Sequence, residues 1–334
     1  MRSKLITLSL ISAFAFAGCA SDKGSTPAQT LVTYNSISGR EGFDGPILAV
    51  KIDDTSLARP QIGIENADVV YIEQVEGGLT RLAAIFSSVI PQSIGPVRSA
   101  RISDIDILAQ YGKVIFSYSG AQRAMLSVIA NSNLWDYGAQ RQSPTIYTRD
   151  ASRPAPYNMV LRGDLLLEKV KTDERDVAIS KSVGWNFGKA PAGGVAIDSV
   201  SVKWPASKYE ATWSSTEKRW LLSNAGVANL VAGGTQLGAT TFVIQDVKMS
   251  DSIYRSADGG YTPLSETVGT GTGYILRDGR SFKANWSRPT AEAGTTWTLA
   301  NGSEIKFAPG SVWVALTDRK PVFTLSAPTP AVSK

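Results

Sequence analysis

Asp68-Val-Val-Tyr-Ile-Glu-Gln-Val-Glu-Gly-Gly-Leu-Thr-Arg-Leu-Ala-Ala-Ile-Phe-Ser87 reads as two strands around a glycine turn. Asp68 to Glu73 carries the β-branched and aromatic residues that strands favour, and Leu82 to Ser87 is a short apolar run. Gly77-Gly78 permits a turn without Cβ crowding. Working outward, Ile47 to Ile52 and Lys113 to Tyr118 read as further strands. Between strands, Ile102, Ile105, Leu108 and Ala109 recur at helical spacing, and Ser103 with Asp106 fits a capping box. Ala121 to Ala130 and Leu161 to Val170 read as two more helices. Residues 41–190 are therefore expected to form a mixed α/β domain.

Beyond about Ala196 the pattern changes to short strands and tight turns. Asp278-Gly279 lies between Gly273–Leu276 and Ser281–Trp286, and Asn301-Gly302 between Thr296–Leu299 and Glu304–Phe307. Both dipeptides favour the positive φ values of two-residue hairpin turns. Lys208 to Leu222 reads as another hairpin, with Trp213 and Trp220 on one face. The expectation is α+β: an α/β N-terminal domain followed by a mostly β domain over 196–325, with a frayed tail at 326–334.

The N-terminus reads as an export address. Arg2 and Lys4 precede an apolar run, Leu5 to Phe16, that is too short to span a bilayer, and Phe16-Ala-Gly-Cys19 resembles a lipobox. Cys19, the only cysteine, would then be acylated and become the first mature residue. An ordinary secretory signal cut near Ala17 is the competing reading, but it leaves the placement of the sole cysteine unexplained. Residues 1–18 are thus expected to be a signal peptide. Residues 19–40, rich in Ser, Thr, Gly and Pro, are expected to be a tether holding the body on the order of 25 Å from the membrane. The lipid would be the membrane anchor and the location the extracytoplasmic face.

This inventory restricts the chemistry. The chain has no histidine, and its thiol would carry lipid. Cysteine nucleophiles, Ser-His-Asp triads and His- or Cys-ligated zinc are excluded, and disulfides with them. Without Arg2 and Lys4 the balance is 32 basic against 29 acidic residues, largely interleaved, which argues against nucleic acid as a partner. No cofactor is expected. A divalent cation on Asp53 and Asp54 fits by ligand type, but Asp53-Asp54-Thr55 reads more simply as a strand end.

Polar residues concentrate between Arg59 and Arg101. Arg59-Pro-Gln61 is followed by Asp68, Glu73, Glu76-Gly-Gly-Leu-Thr80-Arg81 and Gly95-Pro-Val-Arg98-Ser99-Ala-Arg101. In a strand, Glu73 shares a face with Val69 and Tyr71, so its carboxylate needs a partner; Arg59, Arg81, Arg98 and Arg101 are the candidates. Arg98 and Arg101 beside a helix start would suit a carboxylate or phosphate. The alternative is that the network only ties loops to a sheet.

Those motifs, in that order, resemble the YerB-like lipoproteins. The likeness extends to Arg153-Pro-Ala-Pro-Tyr157-Asn158, where Tyr157 replaces a common histidine, and to Gly273–Gly279, Trp286–Pro289 and Pro309–Trp313 in the β-rich part. It implies a two-domain envelope lipoprotein whose function is unsettled. A mechanism that needs that histidine as a base could not run here.

Three functions fit. The preferred one is a pocket for an anionic cell-envelope ligand, a peptidoglycan or wall-polymer fragment, built from Arg59, Glu73, Glu76, Thr80, Arg81, Arg98, Ser99, Arg101, Arg153 and Asn158. The second is a carboxylate-dependent glycan hydrolase using two of Asp53, Asp54, Asp68, Glu73 and Glu76. The third is a structural envelope scaffold with its Trp-rich β part as contact surface. No catalytic residue can be assigned from spacing alone.

Overall fold

The computed structural model describes residues 32–255 and 259–327. The signal peptide, Cys19 and the tether up to residue 31 lie outside the described residues, as does the tail from 328.

The described residues from Thr33 onward form one compact unit, organised by a 16-stranded sheet. From one end the main path runs through Val227–Ala228, Arg219–Asn224, Lys208–Ser214, Val195–Lys203, Arg280–Arg288, Gly269–Arg277, Thr241–Asp246, Val312–Thr317, Val69–Gln74, Thr80–Phe86, Leu48–Asp53, Val114–Ser117 and Leu134–Asp136. Val312–Thr317 joins the two halves, pairing in parallel with both Thr241–Asp246 and Val69–Gln74. Its six residues are all buried, as a central parallel strand requires. The α/β character of the first region and the β character of the second are as expected, but a shared sheet rather than a linker connects them.

The opening stretch folds as it reads. Val69–Gln74 and Thr80–Phe86 pair antiparallel with Tyr71 opposite Ala83 and Glu73 opposite Arg81. Alternation sends Val70, Ile72, Leu82, Ala84 and Phe86 to one core face, and Val69, Tyr71, Ala83 and Ile85 to the other. The second face packs on helix α1 (Ser103–Ala109) through Ile107 and Leu108, and just beyond it Tyr111 meets Tyr71, hydroxyl to hydroxyl, at 2.9 Å. Helices α2 (Arg123–Asn131) and α3 (Gly163–Thr172) also stand where periodicity places them.

In the second region Asp278 and Gly279 take φ of 51° and 70°, the geometry of a tight hairpin turn. Trp213 and Trp220 are cross-strand partners with ring centroids 5.2 Å apart.

Several expectations are corrected. The tether does not extend to residue 40: Asn35, Ile37 and Ser38 are buried, and Ser38 donates to Asp68 at 2.6 Å. Ser103 and Asp106 form no capping box. Ser103 Oγ accepts the amide hydrogen of Ser265 instead, and Asp104 receives the amide of Arg101 at 2.7 Å. After Asn301-Gly302 only a single bridge, Thr298 to Glu304, replaces the expected second strand. Trp220, Trp286, Trp297 and Trp313, by contrast, are buried as the filling of hairpin faces leads one to expect, which leaves the scaffold reading without its contact surface.

Candidate functional site

Register explains how the polar cassette assembles. Across three adjacent strands, Glu73 stands opposite Arg81, and Arg81 opposite Asp53. All three therefore share the face covered by α1. One step inward, Lys51 stands opposite Ala83, whose methyl leaves room for the lysine to reach over the middle strand. Lys51 Nζ meets the Glu73 carboxylate and lies 2.8 Å from Asp104. All three side chains are fully buried. Burial pulls the lysine's proton affinity down to about 8, against the opposing pull of Asp104. Glu73 is thus paired with Lys51, not with an arginine, and it is inaccessible to a ligand.

The end of this face opens into a cleft of about 460 Å³ lined by Glu76, Ser99, Arg101, Ala121, Gln122, Met125, Arg255 and Thr262. Glu76 Oε2 receives Arg101 at 2.7 Å from Nε, and Oε1 receives the Thr262 hydroxyl at 2.6 Å. Burial raises the Glu76 pKa, but Arg101 and Thr262 outweigh it and leave the carboxyl below its usual value. Arg81 reaches the Ser99 carbonyl at 3.0 Å. Burial first, then repulsion from Arg101 and Arg98, push its guanidinium well below the ordinary arginine range, with Asp53 and Glu76 opposing. Even so, an arginine stays charged at neutral pH, so the cluster holds cations that a further anion would relieve. Arg98 donates to Asp53 at 2.6 Å and lies over the ring of Tyr157, 5.6 Å from its centroid.

The remaining candidates gather elsewhere. Asp54, fully buried, accepts Arg59, Thr80 and Tyr209 at 2.9, 2.6 and 2.6 Å. Burial raises its pKa, with Arg59 the strongest opposing influence. Thr80 is buried in this cluster. Arg153 is spent on Asp150 and on the carbonyls of Ala58 and Pro60, and Asn158 accepts Arg149 at 2.7 Å. Of the ten residues expected to form one pocket, Glu76, Ser99 and Arg101 line the cleft, and Arg81 and Arg98 stand behind them. Glu73, Arg59, Thr80, Arg153 and Asn158 do not join them.

Two other readings change. Helix α1 has only seven residues, and Asp104 already receives the amide of Arg101 at its start, so no free helix end faces the cleft. The close approach that Gly78 permits is made by the chain itself: a Cβ there would lie 2.4 Å from Pro205, and Ala206 donates to the Gly78 carbonyl at 2.9 Å.

Sequence reasoning missed Lys51, Tyr209, Gln122, Thr262 and Arg255. Thr262 and Arg255 come from the paired strands Met249–Arg255 and Tyr261–Ser265, where Arg255 packs on the Tyr261 ring at 3.9 Å. Only Lys51 carried a signal, as a charge inside the apolar run Leu48-Ala-Val-Lys-Ile52. No group of three or more acidic, His or Cys side chains placed to hold a metal ion occurs among the described residues.

Two adjoining matches with known proteins cover this architecture. Residues 36–177 match the N-terminal domain, and residues 200–314 the C-terminal domain, of the family described as "Protein of unknown function (DUF3048)". The chain belongs to the DUF3048 family. It is 20% identical over 273 residues to "Putative lipoprotein YerB" of Bacillus subtilis (strain 168), covering 80% of each protein. This DUF3048 chain also superposes on the crystal structure of the YerB protein from Bacillus subtilis with a TM-score of 0.73 at 19% identity, over 87% of this chain and 99% of that one. In this DUF3048 chain the Glu76–Arg101 cleft lies where the part matched to the N-terminal domain meets the Met249–Ser265 hairpin of the C-terminal part.

Proposed function

We propose that the protein is a lipid-anchored lipoprotein of the extracytoplasmic face whose cleft binds an anionic cell-envelope ligand, a peptidoglycan or wall-polymer fragment. The anchor reading rests on the Phe16–Cys19 motif and on the lipoprotein name of the Bacillus subtilis relative. The observation that carries the binding reading is the charge inventory of the cleft. Among the described residues Glu76 is the one carboxylate that lines it, beside Arg101 and Arg255, with Arg81 and Arg98 behind. Burial and mutual repulsion disfavour the Arg81 charge, and a bound anion offsets both.

A two-carboxylate glycosidase is less well supported. It needs a pair facing one substrate at about 5–9.5 Å. Asp53, Asp54 and Glu73 are instead paired with Arg98, Arg59 and Lys51, and Asp68 is enclosed by Ser38, Ser87 and Ser88. Incubating the purified protein with isolated cell wall separates the readings. Retention without release of soluble fragments, weakened by Arg101→Ala and by added salt, is the expected result. Fragment release abolished by Glu76→Gln would establish the hydrolase instead.

A further inference from the structure

The first packed turn of the body leaves large apolar side chains in solvent. Tyr34 is 61% and Phe43 76% exposed, and Ile179, on a segment bonded to this turn, is 53% exposed. They are held in place rather than loose. Asn35 donates its amide hydrogen to Arg40 at 2.8 Å and Gly42 to Thr33 at 2.9 Å, lacing residues 33–35 to 40–42. The Asn35 side chain then ties the Phe43 carbonyl to Ser180, each at 3.1 Å, and Pro46 bridges to Ile179. Asp44, between them, is secured by Ser36 and Ser180. Two chain segments are thus fastened together by polar bonds while three apolar side chains project from them into water. Such a patch marks a contact surface.

Chain length indicates what covers it. Fourteen residues lie between Cys19 and Tyr34, a reach of at most about 54 Å when fully extended. These residues lie where the body joins the segment that leads to Cys19, so a lipid on Cys19 keeps this part of the body close to the bilayer. The exposed charges nearby, Glu41 and Asp44 against Lys181, leave a net negative charge, so attraction to a bilayer here is apolar rather than electrostatic. Tyr and Phe suit a lipid–water boundary, with their rings in the apolar layer and the tyrosine hydroxyl toward water.

We infer that Tyr34, Phe43 and Ile179 form a face that docks into the lipid interface and sets the orientation of the body on the membrane. The inference rests on the reading that Cys19 carries lipid. The test uses the acylated full chain in phosphatidylethanolamine/phosphatidylglycerol vesicles with brominated acyl chains, which quench tryptophan on contact. Three variants, Phe43→Trp, Ile179→Trp and Val227→Trp, each add one reporter to the eight native tryptophans, the last at a remote exposed site. The expected result is loss of most of the added emission at 43 and 179 and none at 227, unchanged by salt. Adding Phe43→Asp to the Ile179→Trp chain should restore emission there. Equal emission from all three reporters on vesicles that retain the chain would overturn the docking face while leaving the anchor intact. Failure of the chain to float with the vesicles would overturn both. Quenching that requires added membrane proteins would make the occupant a protein and overturn the lipid assignment.

Discussion

Thr262 donates its hydroxyl hydrogen to Oε1 of Glu76 at 2.6 Å, joining residues 186 positions apart. With Arg101 on the other oxygen, this carboxylate latches the Tyr261–Ser265 strand to the turn that follows Val69–Gln74. Burial raises the Glu76 pKa, but Arg101 and Thr262 outweigh it and hold the carboxyl below its ordinary value. A carboxyl depressed in the folded state contributes stability above its unfolded pKa and loses it as pH falls through the folded value. The acid limb of the stability–pH curve should therefore be shallower in Glu76→Gln. Chemical denaturation at neutral pH should show this variant about 1–3 kcal/mol less stable. An acid limb unchanged by the substitution would remove the latch.

Lys51 neutralises two buried carboxylates at once. Lys51→Met leaves Glu73 and Asp104 without their cation and should cost about 3–5 kcal/mol in denaturant titration. Adding Glu73→Gln should recover part of that loss, because one uncompensated charge disappears.

Tyr209 reaches Asp54 from the second family region. Tyr209→Phe should lower stability by about 1–3 kcal/mol by taking a donor from a buried carboxylate, and lower Tm without altering cell-wall retention. A change in retention with stability intact would place the Asp54 cluster in the binding site.

Much of the fold was legible because it rests on local pattern. Leu48-Ala-Val-Lys-Ile-Asp53 and Val69–Gln74 announce strands through their apolar residues, and Asp278-Gly279 announces its turn through the φ values it favours. What was not legible depends on partners distant in sequence. Nothing near Val312–Thr317 says that it inserts between Thr241–Asp246 and Val69–Gln74. The partner of Glu73 is set by Lys51 standing opposite the small Ala83, a consequence of register rather than spacing. The cleft was half visible. Glu76, Ser99 and Arg101 stood in the motifs, whereas Thr262 and Arg255 arrive from a hairpin whose docking no local signal marks. Composition misled at residues 33–40, where Asn35 and Ser38 look like tether but bond to buried Ser180 and Asp68.

Removing the acylation site tests the address. Cys19→Ala should shift the protein out of the membrane fraction while the body, laced together from Thr33 on, keeps its Tm. Unchanged fractionation would undo the anchor reading.

The central claim is that the arginine cluster around Glu76, with Arg101 lining the cleft, binds an anion of the cell envelope. Its most direct measurement is the equilibrium retention of the protein on purified peptidoglycan sacculi, with and without attached anionic polymers, across a series of salt concentrations. Arg149→Ala serves as a control, because that arginine is exposed and pairs only with Asn158 among the bonds described. The account predicts that Arg101→Ala weakens retention by about tenfold or more, the scale of one charge-assisted contact, and flattens the salt dependence, while Arg149→Ala changes neither. Equal retention of the wild type, Arg101→Ala and Arg149→Ala at every salt concentration would contradict it.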